Sequence, residues 1–297
     1  MSGFRGVLTS ARPQQWVKNL FVLAPLLFGG RLDSPPAMLR ALLAFVCFSL
    51  ASGGVYILND LADREADLAH PEKRRRPIAS SQLGPGTALS GALALLAVAA
   101  AAASRLGPRF EGLLLAYLVL SVAYSLALKR AAIVDAMAIA TGFVLRVVGG
   151  AAAVDVEPSH WLIVCAFLLA LYLALAKRRQ ELLLLSAEAR DHRRSLSGYS
   201  VEYLDQVSGV LLGATLVCYA LYTVAPETVA RFHTDALVYG TIFVLYGLLR
   251  YMSLLQDPAH GGNPTRVLLT DKPLLASVAG WALYNAAVVY RGTLVHW

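Results

Sequence analysis

Nine apolar segments follow one another along this chain of 297 residues, most of them near the roughly 20 residues that a helix needs to cross a bilayer. Hydrophobic residues make up 57% of the chain and charged residues 15%, which is typical of a polytopic membrane protein. The sequence therefore predicts an all-α integral membrane protein with nine transmembrane helices. The segments lie at about residues 17–30, 37–58, 83–103, 110–128, 132–154, 160–176, 203–225, 235–255 and 273–294.

The basic residues predict how these helices are oriented. With nine spans, nineteen Lys and Arg residues fall on one side and six on the other, and Arg146 lies within a span. Loops rich in Lys and Arg stay in the cytoplasm, so we expect a cytoplasmic N-terminus. More than half of the charged residues lie in three loops on that side, 59–82, 177–202 and 256–272, and no linker divides the chain. We therefore treat 1–297 as a single membrane domain and expect any soluble ligand to arrive from the cytoplasm.

Charge and cysteine content exclude other classes of function. The net charge is +7, but the excess lies in loops between apolar segments, which indicates membrane orientation and an anionic ligand rather than nucleic acid. The three cysteines lie inside apolar segments without the spacing of metal ligands.

An acidic stretch directly follows the second apolar segment. If the helix continues past Leu58, then Asp60, Asp63 and Asp67 fall at positions i, i+3 and i+7 of one face, with Asn59 beside them. Carboxylates on one face repel each other unless a cation lies among them, and an all-oxygen group suits Mg²⁺. The spacing therefore predicts a magnesium site.

A basic run at residues 73–76 follows the acids. Its side chains are donors suited to phosphate oxygens, so acids and bases together predict a site for a magnesium diphosphate. A charged run after an apolar helix is also typical of a solvated cytoplasmic loop, and that alternative stays open. The candidate ligands of the run are Lys73, Arg74 and Arg76.

Two ionisable residues lie within the fifth span. Asp135 and Arg146 are eleven residues apart, almost three full helical turns, so they share a face of that helix. Burying a charge in a bilayer is costly, and such residues are functional candidates. We expect both to line one polar cavity; a structural ion pair, or the solute site of a transporter, are the alternatives.

Polar residues at the ends of spans complete the set of candidates. Each could equally anchor the protein at the lipid headgroups. They are Tyr124 and Lys129 after the fourth span, Lys177 and Arg178 after the sixth, and Gln15, Lys18 and Asn19 before the first.

These motifs resemble the UbiA superfamily of intramembrane prenyltransferases. The family's first acidic motif is matched by Asn59-Asp60-x-x-Asp63-x-x-x-Asp67 on the loop after the second helix, and the resemblance covers nearly the whole chain. It implies nine helices around a central cavity, with a cytoplasmic cap and a lateral opening to lipid.

The resemblance is narrower than the superfamily as a whole. The second acidic motif of its prenyltransferases, Asp-x-x-x-Asp after helix six, is not matched in the loop from Lys177 to Asp191. Five other motifs are instead similar to the decaprenyl-phosphate phosphoribosyltransferase branch: Arg12–Asn19, His70–Pro77, Tyr124–Lys129, Gly142–Arg146 and Lys177-Arg178.

This branch implies a Mg²⁺-dependent enzyme of a bacterial inner membrane that supplies cell-wall biosynthesis. Its donor would be phosphoribosyl pyrophosphate and its acceptor a polyprenyl phosphate. Asp60, Asp63 and Asp67, helped by Asn59, would hold Mg²⁺ on the donor's diphosphate. Lys73, Arg74 and Arg76 would bind the diphosphate or the ribose 5-phosphate of the donor. The candidates for a phosphate of either substrate are Tyr124, Lys129, Arg146, Lys177 and Arg178, and Asp135 would line the substrate cavity with Arg146. Gln15, Lys18 and Asn19 would bind the lipid phosphate.

Two questions stay open at this point. The alternative function is a UbiA-type prenyltransferase that moves a polyprenyl chain from its diphosphate to an aromatic or glycerol-phosphate acceptor. The sequence also leaves open whether the protein forms a homo-oligomer.

Overall fold

The computed structural model describes residues 3–69, 73–184, 194–256 and 270–290. Over these ranges the regular structure is helical and no strand occurs, which confirms the predicted all-α class. The α-helices are α1 (Gly3–Ser10), α2 (Ala24–Phe28), α3 (Pro35–Ala62), α4 (Arg64–Ala69), α5 (Pro85–Ala103), α6 (Pro108–Leu126), α7 (Val134–Ala153), α8 (His160–Leu184), α9 (Val201–Val224), α10 (Pro226–Phe232), α11 (Thr241–Gln256) and α12 (Lys272–Val289). Short 3-10 helices lie at Pro13–Leu23, Lys73–Arg75, Leu128–Arg130, Arg194–Gly198 and Ala236–Gly240.

Seven helical segments within these ranges are long and apolar enough to cross a membrane. They match the second to eighth predicted spans, so the protein is an integral membrane protein. The segments are Pro35–Ala62, Pro85–Ala103, Pro108–Leu126, Val134–Ala153, His160–Leu183, Val201–Val224 and Ala236–Leu255.

The predicted count of nine spans is not confirmed. The first predicted span is a 3-10 helix of 11 residues, Pro13–Leu23, followed by α2 of only 5 residues. Pro25 lies in the first turn of α2, where a residue without an N–H group begins a new helix. The ninth predicted span overlaps α12, which is not among the seven, and residues 291–294 of that prediction lie outside the described residues.

Helix α3 carries the acidic residues. It begins after Ser34, whose hydroxyl accepts a hydrogen bond from the N–H of Ala37 at 3.4 Å, and prolines occupy its first turn. Its buried face packs most extensively against α5, where Gly54 lies against Leu96. Small residues allow two helices to approach closely inside a membrane. The close packing supports the C-terminal part of α3, where Asp60 lies.

The chain folds into two compact units. The first contains the residues up to Leu126 together with Leu145–Glu157, and the second contains Ala127–Val144 and the residues from Pro158 onward. Helix α7 contributes its first part to the second unit and the rest to the first. The single domain expected from the sequence stays a prediction.

In the first unit, α7 lies directly against the 3-10 helix Pro13–Leu23. Gly150 of α7 faces the backbone of Val22 so closely that a Cβ atom there would overlap the Val22 carbonyl. Beside this contact, Phe48 packs edge-on against Phe110 and Tyr117, with centroids 5.8 and 5.4 Å apart. This close approach also brings together the residue one turn before Val22 on the 3-10 helix and the residue one turn before Gly150 on α7.

In the second unit, the segment before α9 lies close to the segment before α7. A Cβ atom on Gly198 would lie 2.6 Å from the Cβ atom of Ala132, so only glycine fits this approach. The core beneath is formed by α8, α9 and α11, where Tyr172 and Tyr251 pack edge-on at 5.7 Å. The close approach places Tyr199 next to the N-terminus of α7.

Candidate active site

Two buried carboxylates of the first unit converge on one arginine. The Nη1 atom of Arg76 lies 3.0 Å from Oδ1 of Asp60 and 2.6 Å from Oδ2 of Asp67. Arg12 adds a second cation, with Nη2 2.5 Å from the same Oδ1 of Asp60. Both Asp side chains are only 4% exposed, whereas Arg12 and Arg76 are 29% and 30% exposed. Two buried acids are costly unless paired, so the arginines stabilise them.

The three predicted metal ligands do not form one triad. Helix α3 ends at Ala62, and Asp63 is its C-cap residue with φ −94° and ψ 12°, so the helical face expected to hold all three acids is interrupted. Asp67 lies instead on α4, where its N–H donates to the Asp63 carbonyl at 2.8 Å. In the described part of the chain, no three His, Cys, Asp or Glu side chains group as a metal site. Asp60 and Asp67 are the pair that the fold assembles.

This pair fits a hard divalent cation by its chemistry. The converging groups are carboxylate oxygens, which Mg²⁺ prefers, and Mg²⁺ takes only one or two protein carboxylates when substrate phosphates and water complete its octahedron. One oxygen of each carboxylate already lies against a single nitrogen of the positively charged Arg76 side chain. Asp60 and Asp67 would therefore hold such an ion.

Arg12 was not among the residues predicted for the site. Its backbone is left-handed, with φ 54°, at the start of the 3-10 helix, and its guanidinium carbon lies 5.1 Å from the centroid of the Tyr56 ring. The motif that contains Arg12 was visible in the sequence, but a basic residue next to Trp16 is also typical of an interfacial anchor. Only the fold brings Arg12 to Asp60.

A second polar cluster lies deeper in the first unit. The Nε atom of Arg146 donates to Oδ1 of Asn19 at 2.7 Å, and its Nη2 donates to the Tyr117 hydroxyl at 3.0 Å. The amide of Asn19 donates in turn to the hydroxyls of Ser49 at 3.0 Å and Ser52 at 3.4 Å. Asn19 and Arg146 are 1% and 6% exposed, so both are fixed by buried hydrogen bonds.

One face of α3 connects the two clusters. Ser49, Ser52, Tyr56 and Asp60 follow one another at spacings of three, four and four residues, which places them in one row along the helix. At 1.5 Å per residue this polar row is roughly 16 Å long. The spacing of this polar row can be read from the sequence, but the row lies inside an apolar segment and did not stand out there.

The residues expected to bind the lipid phosphate have different environments. Gln15 and Lys18 are half-buried on the 3-10 helix. Asn19 uses both atoms of its amide within the buried cluster, so the geometry indicates that it orients Arg146. A direct contact of Asn19 with a lipid phosphate stays a prediction.

Asn19→Ala should lower the free energy of unfolding by about 1–3 kcal/mol, because it leaves the buried Arg146 Nε without this acceptor. Thermal unfolding of the purified protein in detergent measures the loss. Gln14→Ala is the control, since Gln14 is exposed on the same 3-10 helix and should leave the midpoint unchanged. Equal midpoints for Asn19→Ala and wild type would contradict the assigned role.

A third cluster lies in the second unit around a fully buried ion pair. The Nε atom of Arg178 lies 2.9 Å from Oδ2 of Asp135, and these side chains are 1% and 0% exposed. Arg178 also pairs with Glu181, one turn further along α8. Lys177 is more exposed, with Nζ 3.8 Å from the Glu181 carboxylate. Arg178 was predicted to bind substrate phosphate, and the structure assigns it two carboxylate partners.

Tyr199 joins this cluster to the backbone before α7. Its hydroxyl donates to Oδ1 of Asp135 at 2.8 Å and accepts from the N–H of Ile133 at 2.5 Å. Ile133 has φ 67°, an unusual conformation for a β-branched residue, which this hydrogen bond supports. Burial raises the pKa of Tyr199 well above its usual range, so the tyrosine keeps its proton and remains a donor. Nothing in the sequence singled out Tyr199.

The remaining candidates lie at the ends of the helices. Asn59, Tyr124 and Lys129 are half-buried, whereas Lys73 and Arg74 are exposed. Asp135 and Arg146, expected to line one cavity, bind different partners. Residues 185–193 and 257–269, with Glu188 and Asp191, belong to the predicted cytoplasmic loops but lie outside the described residues.

The helical fold and the paired acids and arginines define an integral membrane protein with a charged site at the end of a transmembrane helix. The model of the UbiA prenyltransferase family matches residues 20–269. The chain belongs to this family.

Curated relatives are similar along nearly the whole length. The decaprenyl-phosphate phosphoribosyltransferase of Mycolicibacterium smegmatis is 33% identical over 96% of this chain and 92% of its own. The enzyme of the same name from Corynebacterium glutamicum is 32% identical over 96% of this chain and 87% of its own.

A solved structure shares the fold. A UbiA homolog from Archaeoglobus fulgidus, bound to GPP and Mg²⁺, matches with a TM-score of 0.73 and 18% identity. The match covers 96% of this chain and 99% of that chain. At this identity the likeness establishes the fold alone.

Proposed function

We propose that this membrane protein transfers 5-phosphoribose from phosphoribosyl pyrophosphate to a polyprenyl phosphate and releases diphosphate. The observation that carries the proposal is the similarity, over 96% of the chain, to enzymes named decaprenyl-phosphate phosphoribosyltransferase. The buried pair Asp60 and Asp67, with two arginines on it, supplies the chemistry that a metal-bound diphosphate requires.

The donor binds at the cluster of Asp60 and Asp67. Mg²⁺ held by these carboxylates would offset the negative charge that builds on the departing diphosphate. Arg76 lies at the same carboxylates, and Lys73 and Arg74 precede it in an exposed 3-10 helix. Their side chains are donors to the diphosphate or to the 5-phosphate of ribose.

The transfer exchanges one C–O bond for another at ribose C1. The bond from C1 to the diphosphate oxygen breaks, and the electron pair leaves with the diphosphate. An oxygen of the lipid phosphate attacks C1 from the opposite face, with inversion, while the sugar has oxocarbenium character as in glycoside chemistry. The lipid phosphate is largely anionic at neutral pH, so no general base is needed. Preorganised cations contribute most where charge develops.

The acceptor is held by residues near the headgroup region. Gln15 and Lys18 lie half-buried on the 3-10 helix Pro13–Leu23 and are our candidates for its phosphate. The isoprenoid tail would gain binding free energy by burying methylenes against apolar helix surfaces. The excess of Lys and Arg on the same side supports a cytoplasmic N-terminus and active site.

The prenyltransferase alternative is supported only by membership of the family, which is less specific. It would require a second acid pair near the C-terminal end of α8, and the sequence there runs Lys177-Arg-Arg-Gln-Glu181. Within that stretch Glu181 is already paired with Arg178 and Lys177.

A transfer assay with purified protein tests the proposal. Ribose-labelled phosphoribosyl pyrophosphate, Mg²⁺ and polyprenyl phosphates of several lengths are supplied, and the lipids are then extracted. Label should enter the lipid phase and should be lost when EDTA is added. Absence of lipid label from well-folded protein, with label transfer from a prenyl diphosphate to an aromatic acceptor, would favour the alternative.

A further inference from the structure

One nitrogen of Arg76 contacts two buried carboxylates, that of Asp60 on α3 and that of Asp67 on α4. We infer that Arg76 competes with the divalent cation for Asp60 and Asp67, and that it moves to the diphosphate when the donor binds. Arg76 would then set the metal affinity of the site and make metal and donor bind cooperatively. The inference rests on the proposed function, because it takes these two carboxylates as the ligands of the donor's metal.

The geometry places the guanidinium where a bridging cation would bind. Nη1 of Arg76 is 3.0 Å from Oδ1 of Asp60 and 2.6 Å from Oδ2 of Asp67. A single positively charged atom therefore satisfies one oxygen of each carboxylate. A metal ion that uses both oxygens must displace that nitrogen, because the two cannot share the contact.

The backbone of Arg76 is fixed by hydrogen bonds, whereas its side chain is exposed enough to move. The N–H of Arg76 donates to the Lys73 carbonyl at 2.9 Å, and its own carbonyl accepts from both the N–H and the hydroxyl of Ser80 at 2.8 Å. The side chain is 30% exposed, whereas those of Asp60 and Asp67 are 4% exposed. A rotation of the arginine side chain therefore releases the carboxylates without unfolding the turn.

Charge explains why metal and donor would arrive together. Asp60, Asp67, Arg12 and Arg76 carry two negative and two positive charges, so a divalent cation alone would add positive charge beside two arginines. A diphosphate offers the displaced guanidinium new oxygens, which it can bind bidentately. Arg12 remains at Oδ1 of Asp60, at 2.5 Å, and keeps this carboxylate oriented.

Direct metal binding tests the inference without any turnover. Mn²⁺ favours the same oxygen ligands as Mg²⁺, and its free concentration is read from its electron paramagnetic resonance signal. In the absence of donor, Arg76→Gln should bind Mn²⁺ about tenfold more tightly than wild type, a coupling of ordinary size. The matched control is Arg75→Gln, which removes an exposed neighbouring arginine and should bind like wild type.

A stability measurement gives a second readout. In EDTA, Arg76→Gln should unfold at a lower temperature than wild type, because two buried acids lose one cation, and Mg²⁺ should restore most of the difference. Arg76→Lys covers the case in which the glutamine variant does not fold. A lysine ammonium is a point charge without the planar fork of arginine, so we expect intermediate Mn²⁺ affinity.

The outcomes separate the inference from the proposed function. Mn²⁺ binding that is no tighter in Arg76→Gln or Arg76→Lys than in wild type overturns the competition, even if Asp60→Asn loses Mn²⁺ binding and the transfer reaction proceeds. Unchanged Mn²⁺ binding in Asp60→Asn would contradict both, because Asp60 would then not be a metal ligand.

Discussion

Asp60→Asn should reduce the kcat of phosphoribosyl transfer on the order of 100-fold to 1,000-fold, the usual effect of removing one electrostatic contact to a transition state. The substitution keeps the shape of the side chain but removes the negative charge that faces Arg12 and Arg76 and that we propose as a metal ligand. Initial rates at saturating donor and acceptor measure the change.

A matched control for this variant lies on the next helix. Glu65→Gln removes an exposed carboxylate of the same acidic stretch and should leave the rate close to that of wild type. If raising the Mg²⁺ concentration restores the full rate of Asp60→Asn, the residue contributes only to metal affinity. Equal rates for Asp60→Asn and Glu65→Gln would exclude Asp60 from the site.

Arg178→Gln should lower the free energy of unfolding by about 3–5 kcal/mol, the usual result of removing one partner of a buried ion pair. The change leaves Asp135, which is fully buried, without its cation at 2.9 Å. Thermal or denaturant unfolding in detergent measures the loss. Lys177→Gln, on the neighbouring and more exposed position, should change stability by less than about 1 kcal/mol.

A double variant distinguishes the ion pair from a general packing defect. Asp135→Asn combined with Arg178→Gln removes both charges, so we expect it to recover much of the stability lost by Arg178→Gln alone. A double variant that is as unstable as the sum of the single variants would contradict the pairing. Retained stability in Arg178→Gln would instead return Arg178 to the set of phosphate-binding candidates.

The sequence predicted the apolar architecture well, because the length and hydropathy of a segment are local properties. Seven predicted spans have matching helices. The first predicted span was wrong as a single helix, since Pro13–Leu23 adopts a 3-10 conformation and a new helix begins at Ala24, with Pro25 in its first turn. Hydropathy alone does not distinguish a 3-10 helix from an α-helix.

The site was predicted in part. Spacing along one helix singled out Asp60 and Asp67, which the structure brings to one arginine. It also grouped Asp63 with them, whereas the described residues form no cluster of three acids and Asp63 lies where α3 ends. The partners were harder to predict, because Asn19 and Arg146 are 127 residues apart in sequence. Asp135 was grouped with Arg146 by helical periodicity, whereas its partners come from α8 and from Tyr199. Helical periodicity shows which residues of one helix share a face, but it carries no information about contacts between helices.

The 3-10 conformation of Pro13–Leu23 has a consequence for the spacing of the two clusters in the first unit. Arg12 is bound to Asp60 of α3, and Asn19 is bound to Ser49 and Ser52 on the same helix. Along α3 these attachment points are separated by roughly 12–16 Å. Seven residues of a 3-10 helix advance roughly 14 Å, whereas seven residues of an α-helix advance only about 10 Å. Because the 3-10 helix is longer per residue, one short segment reaches both the proposed diphosphate site at Asp60 and the buried Arg146.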